Sequence, residues 1–180
     1  MLLVCQLARA EHPAAATTPP SPRAADAIRL LQSEDLYQRQ LGFLRLEALR
    51  EPSTLPAITP YLKHRDADTR AYSLRAVAAI EGPVSIPLLL EKLKTDPHPE
   101  VRRAALLGLE LFQPLDPKIL PAAIKAMRDR KVEVRISAID IVSRIDDPRA
   151  RQAIALLNKR ERNADVRRVL TSALRRIETR

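Results

Sequence analysis

The chain has 180 residues, 46% of them hydrophobic and 29% charged, with a formal net charge of +9; that balance fits one folded domain and excludes a disordered chain. Three glycines exclude a glycine-rich phosphate loop, and the single Cys5 excludes an intramolecular disulfide framework or a multi-cysteine metal site. The charge is uneven: residues 149–180 hold ten Lys/Arg against three Asp/Glu, so the last stretch is basic and the remainder nearly balanced.

Residues 1–21 predict a flexible N-terminal segment ahead of a repeat domain at 22–180. Met1 to Ala10 is mildly apolar, and Pro13 to Pro22 is a Pro/Ala/Thr linker expected to be extended and mobile. Two readings of the first ten residues stay open. One is the tail of a secretory signal that starts upstream, with Ala8-Arg9-Ala10 as its small-x-small cleavage site; the other is a plain tail. A cytoplasmic location follows from the sequence as it stands, and a periplasmic or exported one from an upstream start. No transmembrane segment is expected, since no stretch reaches the roughly 18 apolar residues a bilayer crossing needs.

A first helix pair is predicted at Pro22 to Gln32 and Asp35 to Leu49, with the register of its second helix uncertain by one residue. From there a phrase returns: Asp68-Thr69-Arg70, Glu100-Val101-Arg102, Glu133-Val134-Arg135 and Asp165-Val166-Arg167, at spacings of 32, 33 and 32 residues. A fixed period of this length means stacked supersecondary units. Each phrase opens an amphipathic helix, here called B. In the third unit Val101, Ala105, Gly108, Leu109 and Phe112 share one face. The same columns hold Thr69, Ser73, Ala76, Val77 and Ile80 in the second unit. They hold Val134, Ala138, Ile141, Val142 and Ile145 in the fourth, and Val166, Leu170, Ala173, Leu174 and Ile177 in the fifth. A shorter helix A precedes each B: Pro52 to Lys63, Pro83 to Lys94, Pro117 to Met127 and Pro148 to Asn158. Proline suits their starts, and Pro56, Pro87 and Pro121 should bend them one turn in.

Proline within helix A, an acidic residue at the A–B turn and Val-Arg opening helix B together resemble the HEAT-repeat family, in its short phycobilisome-lyase-like form. Six residues before the arginine, the family's aspartate is matched by Asp96 and Asp129 and conservatively by Glu161; the second unit has His64 there, and the first unit has no match. The resemblance implies an all-α fold, a right-handed α-solenoid of about five HEAT-like helix pairs (an armadillo-like α–α superhelix), over about residues 22–180. It also implies a structural role for Arg70, Arg102, Arg135 and Arg167, as a ladder reaching the turn aspartates of their own or the adjacent unit.

Function is expected on the face of B opposite the apolar stripe. Carried along the repeats, this ridge offers Arg75, Arg103, Leu107, Ile136, Asp140, Arg168 and Arg175 as partner-binding residues, with Leu107 and Ile136 as a small apolar step and a basic end at the fifth unit. No nucleophile–base–orienter set can be assembled, and His12, His64 and His98 have no metal partner at helical spacing, so no cofactor or metal is expected. The expectation is a non-catalytic scaffold or adaptor, not an enzyme, that binds another protein, one with an acidic surface, through this ridge. The alternative is a nucleic-acid binder gripping phosphates through Arg103, Arg168, Arg175 and Arg176. Placed last is an accessory member of the bilin-lyase-like family acting on a chromophore protein, because the chain has no tryptophan and few aromatic residues, with Tyr61 and Tyr72 assigned to the core.

Overall fold

The computed structural model describes residues 18–112 and 116–179; the export-signal reading and the first half of the linker fall on residues 1–17, outside that range. Among the described residues there is no strand. Ten helices form five pairs: α1 (Pro22–Leu31) with α2 (Leu36–Leu49), α3 (Leu55–Ile58) with α4 (Ala67–Glu81), and α5 (Ile86–Thr95) with α6 (Pro99–Glu110). They continue with α7 (Ile119–Ala126) and α8 (Val132–Arg144), then α9 (Pro148–Asn158) and α10 (Ala164–Glu178).

Local sequence fixes the helix starts. Ser21 caps α1 by accepting from the Ala24 N–H, with Pro22 in the first turn where its missing donor costs nothing. Asp35, Asp66 and Asn163 cap α2, α4 and α10 in the same way. The Ser21 hydroxyl and N–H both donate to Glu51, at 2.6 and 2.9 Å, and these bonds hold the Glu51 carboxyl below the usual range. The first cap is thereby tied to the junction with the second unit.

Helix A of the second unit departs from expectation. Pro52, Pro56 and Pro60 break the stretch into a 3-10 turn at Pro52–Thr54, the single α-turn of α3, and a second 3-10 turn at Thr59–Lys63. Three prolines within nine residues remove too many donors for a continuous helix. Pro121 instead falls in the first turn of α7, and Pro87 in that of α5, where neither has a helical bond to break.

The predicted columns face inward. Val101, Ala105, Leu109 and Phe112 are buried, as are their counterparts Val134, Ala138, Ile141 and Val142 in α8 and Val166, Leu170 and Ala173 in α10. Each fully buried Leu, Ile or Val contributes roughly 1.5–3 kcal/mol relative to exposure. Small residues set the helix approach. A Cβ on Gly42 would lie 2.8 Å from Leu31 Cδ2 and 2.9 Å from the Ala27 carbonyl oxygen, so a bare α-carbon is required where α2 crosses α1. Gly82, at φ 63°, ends α4 in a conformation other residues resist.

Residues 67–95 are long and apolar enough by composition to pass for a membrane span, which the sequence expectation did not allow for. Here the stretch is α4, a 3-10 turn at Gly82–Ser85 and α5, with Leu74, Val77, Ile86, Leu89 and Leu93 in the core and Val84 exposed at the turn.

The five B helices, α2, α4, α6, α8 and α10, lie side by side in extensive contact, while successive A helices barely touch. Close packing on one layer and splaying on the other curve the stack, with the B helices on the inner side. The solenoid therefore offers two kinds of surface: an inner ridge of B helices and open clefts between A helices.

Candidate functional site

The recurring arginines form a ladder along the edge where A turns into B. Arg102 donates through Nε and Nη2 to the two Asp129 oxygens, both at 2.8 Å, and through Nη1 to the Asp96 and Pro97 carbonyls at 3.0 Å. It thus binds the turn of its own unit by backbone and the turn of the next by carboxylate. Arg70 repeats this with Asp96 at 3.1 Å and the His64 and Arg65 carbonyls. Arg135 makes a looser rung: its Nη2 donates to Glu161 at 3.3 Å, its Nε lies 3.0 Å from the other Glu161 oxygen as an ion pair, and its Nη1 donates to the Asp129 carbonyl at 2.9 Å. Burial raises the Asp96 and Asp129 carboxyls, but the arginine hydrogen bonds and charges, with one backbone N–H each, outweigh it and hold both below the usual range. The ladder is scaffold.

A first rung went unread in the sequence. Arg39 Nη1 donates to the Ser33 and Glu34 carbonyls at 2.8 and 2.7 Å, and its Nε reaches Thr69 Oγ1 at 3.3 Å. Its signal was the N-cap: Asp35 stands four residues before Arg39 just as Asp66 stands four before Arg70.

On the inner face the structure brings Arg75, Arg103 and Leu107 together in one groove of about 250 Å³ across α4 and α6. Asp68, Tyr72, Glu100 and Glu133 complete its charged and aromatic lining. Arg75 is half-buried; its Nη2 donates to Glu47 at 3.0 Å, and its guanidinium lies 5.8 Å from the centre of the Tyr72 ring. Arg103 is exposed, as are Glu100 and Glu133. Aligning helices on their ladder arginines carries the groove into α2, where Tyr37, Leu41 and Leu44 stand 79, 39 and 42% exposed on one face.

The other predicted residues are not part of this lining. Ile136 is half-buried and packs against the core. Asp140 is half-buried, with Arg176 Nη1 at 3.8 Å. Arg168 pairs with Asp165 one turn away, and Arg175 is exposed. Arg176 donates to buried Ser143 at 2.6 Å, and the carboxylates of Asp165 and Asp140 beside Arg168 and Arg176 partly neutralise the C-terminal basic cluster. This groove thus lies about one turn nearer the start of each B helix than the expected ridge. Asp68, Glu100 and Glu133, the acidic residues that open the recurring phrase, line it. Tyr61 and Tyr72 are both half-buried against the core; Tyr61 donates to the Leu31 carbonyl at 2.8 Å and meets Phe43 edge-on, and Tyr72 also lines the groove.

Residues 24–110 and 86–175 match the family model for HEAT repeats. The chain belongs to the HEAT-repeat family. Within it, the chain is 31% identical to the bilin biosynthesis protein RpcF of Synechococcus sp. (strain WH8020), across 74% of this chain and 73% of that protein. The fold is similar to the complex of CpcE and CpcF of phycocyanin lyase from Nostoc sp. PCC7120, at a TM-score of 0.68 and 22% identity over 83% of this chain and 96% of that one. It also resembles a designed armadillo repeat protein in complex with the peptide (KR)4, at a TM-score of 0.59 and 13% identity over 86% and 81% of the two chains.

The RpcF relationship overturns the expectation of a non-catalytic adaptor, and with it the exclusion of an enzyme. The bilin-lyase-like reading, placed last on sequence grounds, is the one it favours. That reading was set back by counting aromatic residues. What matters for a HEAT solenoid is their placement, and Tyr37 and Tyr72 both fall on the inner face.

Proposed function

We propose that this HEAT protein is a bilin-lyase-type enzyme component, holding an open-chain tetrapyrrole along the inner groove and orienting it for a protein acceptor. The reading rests on one juxtaposition, Tyr72, Arg75, Arg103 and Glu100 around a single groove, in a chain related to a bilin biosynthesis protein. A bilin carries a flat conjugated body, pyrrole N–H groups and propionate carboxylates. Arg75 and Arg103 present guanidinium forks to the carboxylates. Glu100 and Asp68 can accept from the pyrrole N–H groups, and Tyr72, Ala104 and Leu107 give the rings an apolar bed. Tyr37, Leu41 and Leu44 extend that bed, so the ligand need not be confined to the deepest 250 Å³.

Such a transfer needs no nucleophile from this chain, so it is compatible with a sequence that offers no nucleophile–base–orienter set. The reactive atoms belong to the bilin's conjugated system and to the acceptor, and the chain's part is to bind, orient and exclude water. A second protein, the acceptor or a companion subunit, completes the reading.

The test is a spectroscopic titration of the full chain with a free bilin. Saturable changes in bilin absorbance and fluorescence are expected, weakened about tenfold or more by Arg75→Ala with Arg103→Ala, since each charge-assisted hydrogen bond contributes about 1.5–3 kcal/mol. A bilin spectrum unchanged on mixing would sink the proposal.

A further inference from the structure

A second cavity, larger than the groove, opens on the other layer. It lies between α5 and α7, where the splayed A helices leave about 610 Å³. Its floor is carbon: Leu90 and Leu93 from α5, Ala122 and Ala126 from α7. The two alanines sit one turn apart on the same face of α7, which leaves a trough instead of a filled ridge. No aromatic residue lines it among the described residues.

The rim is cationic. Lys94, Lys118, Lys125 and Arg128 are exposed, and none of these side chains makes a hydrogen bond or ion pair with a described residue. Arg130 also borders the cleft and donates to the Pro97 carbonyl at 2.9 Å. The only carboxylates in the lining, Asp96 and Asp129, are already held by Arg70 and Arg102. The rim therefore carries uncompensated positive charge above an apolar trough, walled by two helices.

We propose that this outer cleft docks an acidic amphipathic helical segment of a partner protein. A third helix laid between two others buries apolar side chains spaced one turn apart, and its acidic flanks meet the lysines on either side. A bare polyanion would leave the Leu90–Ala122 floor in water, and a nucleic acid would find nothing to stack on. The site is separate from the bilin groove, uses different helices, and stands or falls independently of it.

The probe is a fluorescein-labelled peptide of about four helical turns, with leucines one turn apart and glutamates elsewhere. Fluorescence anisotropy with the full chain at low ionic strength is expected to show saturable binding. Replacing the leucines by serines should weaken it about tenfold, and Lys118→Glu with Lys125→Glu in the protein should weaken it by a similar factor. Arg75→Ala with Arg103→Ala, which disables the proposed bilin groove, should leave it unchanged. If the double charge reversal lowers helix content by circular dichroism, Lys94→Gln with Arg128→Gln is read in its place, with the same expected direction. The proposal is overturned by no binding at low salt, by equal binding of the serine peptide or of single-stranded DNA, or by binding indifferent to the cleft substitutions.

Discussion

Arg102 and Arg167 hold the same place in the repeat and end in opposite circumstances. Arg102 is 6% exposed, with a carboxylate of the next unit on one side and two carbonyls of its own turn on the other. Arg167 is exposed, and no turn carboxylate of a further unit stands against it among the described residues. The residue type is the same and the phrase differs only in Glu100 against Asp165, so the difference lies chiefly in the neighbour. A repeated residue in a solenoid has no fixed energetic meaning: the unit stacked beyond it decides whether it is a buried tie or a solvated cation.

Substitutions along the ladder turn that comparison into a graded series. Arg102→Ala should cost about 3–5 kcal/mol in urea unfolding, because it strands Asp129 in a buried site and frees the Asp96 and Pro97 carbonyls. A loss below about 1 kcal/mol would mean the interior rungs are no stronger than surface pairs, and the contrast with Arg167 would vanish.

Acid should act next, and on the interior rungs together. Asp96, Asp129 and Glu161 are all held below their ordinary values in the fold, despite the opposing effect of burial. Their contribution is therefore fully present above the unfolded carboxyl values of roughly 4 and is lost as pH falls through the lower folded values. The urea midpoint should be flat from about pH 5 to 7 and drop below about pH 4. Asp129→Asn should shallow that drop; an unaltered acid slope in the variant would show that another carboxyl governs it.

Arg39→Ala should cost about 1–2 kcal/mol, since this rung ties two carbonyls and a hydroxyl but grips no carboxylate directly. Arg167→Ala should change stability by no more than about 0.5 kcal/mol, as at an ordinary exposed site. A larger effect at Arg167 would mean that the end unit has a tie of its own.

The fold was legible because its determinants are periodic. The columns from Val101 to Phe112 could be read off the third unit and carried to Ile177, and the turn aspartates stood at a constant offset from the next arginine. Arg39 escaped because its unit replaces the acidic–Val–Arg phrase with Tyr37 and Gln38 and keeps only the N-cap offset. The broken α3 region was half legible: Pro56 signalled a bend, but three prolines together abolish the helix they were expected to bend. The groove lies a turn from the expected ridge because helical geometry gives the outward face, whereas the concavity depends on where neighbouring B helices leave space, around Tyr72 and Glu100. The outer cleft was beyond reach, since it exists only through the unequal spacing of A and B layers.

The ladder also has a mechanical consequence. Its ties run along a single edge of the slab, at the A–B turns, while the A helices beyond that edge are nearly free of one another. The stack is bound like a book along its spine, so its soft motion is a fanning of the pages. Opening of that kind would widen the gap between α5 and α7 far more than it would disturb the Arg75–Arg103 groove, letting the outer surface breathe while the inner one keeps its geometry.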